Sequence, residues 1–204
     1  MLQRLSSQGC ENYEEKKFIT AGTYIAGADI PAGKADLTAI TGAGNFCVRN
    51  SQVKDWTLGN PIGATSGFQP KNFRNLVLNK DDILEVNGSV KIMLSPPAPI
   101  KETMDENLVP GTYRFGVDVP AGKYNLEVIS GEGNVLLVES GKDHYTFFQE
   151  MAQSDPLKAD SWKNVNCTDE HELWVNGSLV VKLNPSDGKS TAIKKKKWEF
   201  WKKK

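Results

Sequence analysis

Cysteine and histidine are scarce in this chain, and no apolar run is long. There are three cysteines (Cys10, Cys47, Cys167) and two histidines (His144, His171) in 204 residues. An odd cysteine count does not suit a disulfide framework. Cys47 and Cys167 read as buried apolar side chains, and Cys10 as a free thiol in a polar leader. Zinc needs three or four ligands at recognisable spacing. Cys167, Asp169 and His171 are close in sequence but fall at a strand end and a turn, so no metal or cofactor is expected. Gly-x-Ser-x-Gly, His-Glu-x-x-His and Cys-x-x-Cys are all missing, and no catalytic residue is nominated. No stretch approaches ~18 consecutive apolar residues, so no membrane-spanning helix is expected. The first residues lack the apolar core of a signal peptide. Ser7-Gln8-Gly9-Cys10 has the outline of a lipoprotein cleavage box without the hydrophobic stretch such a signal needs. The expected setting is the cytoplasm, including the inner face of the membrane, or the cell envelope if an export signal has been removed. Net charge is zero, which hides an asymmetry. The last eleven residues hold seven lysines and one glutamate, a net of +6, which leaves −6 on the remainder. A mildly acidic body with a basic tail points to a separate partner for the tail.

What the chain does have is one domain written twice. GTYIAGADIPAGKADLTAITGAGN begins at Gly22, and GTYRFGVDVPAGKYNLEVISGEGN begins at Gly111, 89 positions later (111 − 22). The offset still holds where Val86-Asn87-Gly88-Ser89 answers Val175-Asn176-Gly177-Ser178, and where Pro96 answers Pro185. Roughly 20 positions are identical without a gap, and self-similarity of this kind governs everything else. Two copies do not make a solenoid, so each should be a self-contained domain of about 85 residues. The copies should superpose strand for strand, without one continuous sheet built from both.

The expected organisation is a polar leader over 1–17, a first domain over 18–95 and a Pro-rich linker over 96–107. A second domain follows over 108–185, then a spacer and basic tail over 186–204. Pro96-Pro97-Ala98-Pro99 favours an extended polyproline conformation. Within each copy the patterning is that of strands. In the second, Tyr124, Leu126 and Val128 alternate onto one face and Val135 to Val138 run continuously apolar. Asn87-Gly88 and Asn176-Gly177 read as type I′ hairpin turns. Thr146–Ala152 is the one segment that reads as a short helix. Six to eight short strands per copy, with turns every ~8–12 residues, define an all-β chain: two tandem antiparallel β-sandwich, jelly-roll-like domains from an internal duplication.

The repeated residues read as architecture. Gly22, Gly27, Gly33, Gly42 and Gly44 all recur, but a phosphate-cradling loop needs a strand-to-helix junction, and these glycines punctuate strands. Asp29 and Asp118 recur two residues before Pro-Ala-Gly, and an Asx-type bond to a nearby backbone amide accounts for them better than calcium binding or catalysis. His144 and His171 align with Asp55 and Asp82, so neither belongs to the shared design. Three Asn-x-Ser/Thr matches are discounted, since two of them are the Asn-Gly turns.

Gly-Thr-Tyr-x-x-Gly-x-Asp-[Ile/Val]-Pro-Ala-Gly-Lys, with the later Gly-x-Gly turn and Val-Asn-Gly-Ser, resembles a β-domain that recurs in uncharacterised Gram-positive bacterial proteins, alone, in tandem or beside membrane segments. The resemblance covers nearly all of 20–96 and 109–185. It implies a β-rich fold and a cell-envelope setting, and it supplies no catalytic residues. A looser similarity is to jelly-roll accessory domains that bind carbohydrate.

The tail is the other informative element. Lys194, Lys195, Lys196 and Lys197 precede Trp198, Glu199, Phe200 and Trp201, and Lys202, Lys203 and Lys204 follow. Lysines attract anionic headgroups and tryptophan prefers the interface, which suits peripheral membrane attachment. Nucleic-acid binding ranks below that reading. A solubilising end, or a strip that docks on its own domain, also fits the composition. The leading expectation is a non-enzymatic binding or scaffolding module with an unidentified protein or glycan partner. The alternative is a carbohydrate-binding accessory module at the cell surface; an enzyme ranks third. For the alternative, Trp56 with Tyr145, and Phe73 with Trp162, are aromatic at equivalent positions and are the candidate ligand-binding residues, although their first reading is as caps on each core. The divergent windows 50–72 and 139–161 are where specificity is expected.

Overall fold

The computed structural model describes residues 15–49, 56–65, 69–98, 107–139 and 145–186. These residues form strands and turns and no helix. In the first half the strands are β1 (Lys17–Ile19), β2 (Gly22–Ile25), β3 (Gly33–Thr41), β4 (Ala43–Arg49), β5 (Trp56–Gly63), β6 (Asn72–Leu78), β7 (Ile83–Gly88) and β8 (Lys91–Ser95). In the second they are β9 (Gly111–Arg114), β10 (Gly122–Ser130), β11 (Glu132–Glu139), β12 (Tyr145–Ala152), β13 (Ser161–Cys167), β14 (His171–Val175) and β15 (Val180–Pro185).

Strand orders in the two halves correspond. The first half pairs β1-β8-β3-β6 in one sheet and β2-β7-β4-β5 in the other. The second pairs β15-β10-β13 and β9-β14-β11-β12. The place of β1 is taken by Leu108, which bridges Val181 as Ile19 pairs with Ile92. All pairs within a half are antiparallel. The halves are not separate sheets, however. Arg74 of β6 pairs in parallel with Gly111 of β9, and this joins β1-β8-β3-β6 to β9-β14-β11-β12 as one eight-stranded sheet. The expectation that no sheet would be shared is corrected at that single register position, where two edge strands meet.

Alternation explains why these segments become strands. Ala35, Leu37 and Ala39 of β3 point into the first core, as Tyr124, Leu126 and Val128 of β10 point into the second. The two cores are separate clusters, one spanning Ile19 to Leu94 and the other Leu108 to Leu183. They are filled by different side chains. In the first, Phe46 meets Phe73 edge-on at 5.0 Å. In the second those positions are Val135 and Trp162; Trp162 stacks instead on Phe147 at 3.9 Å, and Phe115 stacks with Tyr124 at 6.0 Å, where the first half has Ala26 and Ala35.

Three local expectations are corrected. Asn87-Gly88 and Asn176-Gly177 are not type I′ hairpins. Gly88 and Gly177 have positive φ (93° and 75°), while Asn87 and Asn176 are not among the residues with positive φ. Strand β7 pairs with β2 and β4 and β8 pairs with β1 and β3, so the turn carries the chain from one sheet to the other. Gly42–Gly44 crosses between sheets at the same place. A Cβ on Gly44 would overlap the Asn87 carbonyl, and one on Gly88 would crowd the Ala43 carbonyl. Gly133, Asn176, Gly177 and Glu132 repeat the crossing, closed by Ser89 N–H to Ala43 O and Ser178 N–H to Glu132 O, both 2.9 Å. Two motifs that read as independent turns are thus halves of one crossing. The segment Thr146–Ala152 is strand, not helix: it lies in β12, whose residues alternate, Phe147 against the core and Phe148 outward, and pair along β11. Cys167 is buried in the second core, but Cys47 is half-buried and alternates outward between Phe46 and Val48.

A bulge recurs too. Asn75 and Asn164 have φ of 56° and 59° where the registers of β3–β6 and β10–β13 slip. Each donates its N–H to a side-chain oxygen 39 residues earlier, Asp36 Oδ1 or Asn125 Oδ1, at 2.9 Å. Asparagine is among the residues that tolerate this backbone region.

Candidate functional site at the seam between the two halves

The seam is built from β6, the end of β5 and the linker on one side and from β9, its following turn and β14 on the other. Arg74 donates its N–H to Pro110 O at 2.8 Å, and its side chain donates to Ala98 O at 2.7 Å. Asp36 Oδ2 lies 3.6 Å from that guanidinium and accepts the Ala98 N–H at 2.9 Å. Both backbone groups of Ala98 are therefore held, and this part of the Pro-rich linker is strapped to the first half. Thr112 Oγ1 donates to Asn75 O at 2.5 Å. Lys34 donates to both oxygens of Asp118, at 2.5 and 2.6 Å, in a largely buried pair. Trp174 packs against the first core although it belongs to β14.

Beside this contact lies a pocket of ≈ 310 Å³ lined by Pro61, Glu132, Gly133, Asn134, Glu150, Lys158, Gly177 and Ser178. Pro61 comes from β5 and the rest from the second half. Asn60 Oδ1 ties the two walls by accepting the Gly177 N–H at 2.7 Å. Lys158 bonds Glu132 Oε2 at 3.1 Å and lies 3.6 Å from Asp155. The hydrogen bond to Glu132 holds the Lys158 ammonium above the ordinary lysine range. One row along the outer face, Leu136 of β11 pairs with Phe148 of β12, next to the Asn134–Glu150 pair. Phe148 is 41% exposed. The wall thus offers carboxylates, an amide and an ammonium, with the Phe148 ring on the neighbouring row of the same strand pair. Ser178 Oγ is occupied with Glu132 backbone atoms, accepting the N–H at 3.2 Å and donating to the carbonyl at 3.3 Å, so it is not poised as a nucleophile.

The residues singled out from sequence lie elsewhere. Phe73 is fully buried against Phe46, so its ring offers no surface to a ligand. Trp162 stacks on Phe147 at 3.9 Å and packs on the second core. Trp56 and Tyr145 begin β5 and β12, and their side chains fall outside the described residues. So do the whole tail from Lys194 to Lys204, His144 and Cys10. Asp29 and Asp118 each accept the N–H four residues earlier, Ile25 at 2.9 Å and Arg114 at 3.0 Å, so each bonds a nearby backbone amide, but one that precedes it and not the amide two residues on of an Asx turn. His171 fills the role of its counterpart Asp82: its Nδ1 takes the Thr168 N–H at 3.1 Å, as Asp82 Oδ2 takes the Asn79 N–H at 2.8 Å. Burial pushes the Cys167 thiol up to about 12. Among the described residues no group of three His, Cys, Asp or Glu is placed to hold a metal ion, and no helix is long and apolar enough to cross a membrane.

Sequence reasoning missed Glu132, Glu150 and Lys158. The available signal was contrast: their counterparts are Ala43, Pro61 and Gln69, all uncharged. Pro61, Glu150 and Lys158 do fall in the divergent windows. No family model matches the chain, and neither a curated protein nor a solved structure matches it.

Proposed function

We propose that the protein is a non-enzymatic binding or scaffolding module made of two jelly-roll domains that arose by internal duplication, of the kind met in tandem in Gram-positive envelope proteins. The duplication is supported by corresponding strand orders and by a separate core in each half. The jelly-roll reading is supported by the orders 1-8-3-6 and 2-7-4-5, which interleave the first four strands with the last four across two sheets. One observation carries the binding reading: a polar pocket assembled from both halves and lined by charges that only the second copy has. The basic-aromatic tail is the part suited to anionic membrane surfaces.

A second reading, carbohydrate binding, is favoured by exposed Phe148 beside Asn134 and Glu150, since sugars are held by ring stacking with carboxylate and amide hydrogen bonds. A glycan microarray probed with the full chain and with Glu150→Ala tests the pocket. Glycan retention lost in the variant supports the second reading, and retention unchanged by the substitution removes the pocket from it. The tail is tested by co-sedimentation with anionic vesicles, comparing the full chain with one ending at Ser190. Binding should weaken with salt without vanishing, because tryptophan insertion is not screened. Equal sedimentation of both forms, or tail-dependent binding to RNA and not to lipid, rules the membrane role out.

A further inference from the structure

The two ends of the molecule carry the two halves of its own seam. At the internal seam β6 of the first half meets β9 of the second. The counterpart of β6 is β13, an edge strand at the far end of the second half. The counterpart of β9 is β2, an edge strand of the first half. Each seam contact can therefore be carried 89 positions along. The Lys34–Asp118 ion pair becomes Lys123 with Asp29, the same residue types. The Thr112 hydroxyl on Asn75 O becomes Thr23 on Asn164 O. Gly111, where a Cβ would crowd Arg74, becomes Gly22 opposite Lys163. The Asn60–Gly177 bond becomes Gln149 with Gly88.

The outer ends are already shaped for this. Asn164 holds φ 59° as Asn75 holds 56°. Gln149 donates its amide N–H to the following carbonyl, Glu150 O, at 3.0 Å, as Asn60 donates to Pro61 O at 2.9 Å. That bond orients the amide oxygen that accepts Gly177 N–H at the internal seam. Asp29 caps its own turn through Oδ2, as Asp118 does. Gly22, Thr23, Asp29, Lys123, Lys163 and Asn164 are exposed, whereas Gly111, Thr112 and Asn75 are buried and Asp118, Lys34 and Arg74 are partly covered. We propose that a second copy of this chain docks head to tail, its β2 edge on the β13 edge, in the geometry of the internal seam. Such an interface is heterologous, so it generates an open chain unless the rotation closes a ring.

Three replacements set its strength. Trp174, the apolar anchor of the internal seam, is replaced by Glu85, and the Asp36–Arg74 clamp by Asn125 and Lys163. The internal seam is also helped by the covalent linker, which supplies a high effective concentration. The external seam is accordingly weak and reversible.

Sedimentation velocity on the full chain, loaded up to about 1 mM, reads this directly, since dissociation constants near that value register there. The unaltered protein should rise above 22.5 kDa with concentration. Lys123→Glu should weaken association by about tenfold or more, because like charges then face each other. Asp29→Lys should do the same, and an equimolar mixture of the two variants should associate again. Glu85→Trp, which copies the internal anchor, should strengthen it, and adding Lys123→Glu should undo the gain. A chain that stays at 22.5 kDa up to that loading, alone and as Glu85→Trp, overturns the proposal. Association untouched by Lys123→Glu overturns it as well, and would point instead to the basic tail, which the variant leaves intact.

Discussion

The tripeptide Gly-Thr-Tyr opens β2 and opens β9, with opposite fates. In β2, Gly22 and Thr23 are exposed and Tyr24 is half-covered; in β9, Gly111, Thr112 and Tyr113 are all buried. The corner bond is the same: each tyrosine hydroxyl donates to the carbonyl four residues back, Thr20 or Val109, at 2.9 and 2.7 Å. What differs is that β9 has a neighbour across the seam and β2 does not. Identical residues thus specify the strand and its corner, while their energetic weight is set by what lies against them.

The sharpest way to break the comparison is at the tyrosines. Tyr113→Ala should cost about 3–5 kcal/mol in urea unfolding, the range for a fully buried aromatic, and Tyr24→Ala less than half of that. Equal costs would mean the seam adds nothing. Gly133→Ala and Gly44→Ala probe what the halves share. Each new methyl overlaps a backbone carbonyl that cannot move aside, so each should cost about 3 kcal/mol, and by the same amount in both halves. Next in size is alkaline stability. Burial raises the Cys167 thiol from 9.0 to about 12, so the folded state holds its proton more tightly than the unfolded state. The stability linked to it is complete below about 9 and is lost as pH climbs toward 12, by roughly 2 kcal/mol between pH 9 and 10.5. Cys167→Leu, which imports the counterpart Leu78, should flatten that limb in urea titrations across pH. The smallest effect is at the threonines. Thr112→Val removes a buried hydrogen bond to Asn75 O and should cost about 1 kcal/mol, while Thr23→Val in the monomer should fall within about 0.5 kcal/mol of no change.

The 89-residue offset was readable because every strand from β2 to β8 has its counterpart in β9 to β15 and no insertion intervenes. Strand faces were readable wherever alternation was strict, as at Tyr124, Leu126 and Val128. Three features were not. Asn-Gly is a strong hairpin signal only when the flanking strands pair with each other, and sequence patterning is silent on which sheet each strand joins. The aromatic Phe147-Phe148 pair blurred the period of β12 toward that of a helix. The pocket needed the seam: Pro61 and Glu132 come together only because Asn60 and Gly177 do. The aromatics at equivalent positions were legible for a simpler reason. A residue kept aromatic in both copies is more often part of the core, and Phe73 and Trp162 both pack there.

The glycine crossing has a consequence for folding. Residues 42–44 and 87–89 meet across more than forty intervening positions, so the closing contact of each half carries a high loop entropy. The partner pieces are nearly the same in both halves, Gly-x-Gly on one side and Asn-Gly-Ser on the other. A nascent Gly42–Gly44 arch is therefore able to close on Asn176–Ser178 in place of Asn87–Ser89, a swapped topology typical of tandem repeats. What differs between the halves lies behind the arch: Phe46 meets Phe73 in the first, whereas in the second Val135 stands at the place of Phe46 and the rings pair as Phe115–Tyr124 and Phe147–Trp162.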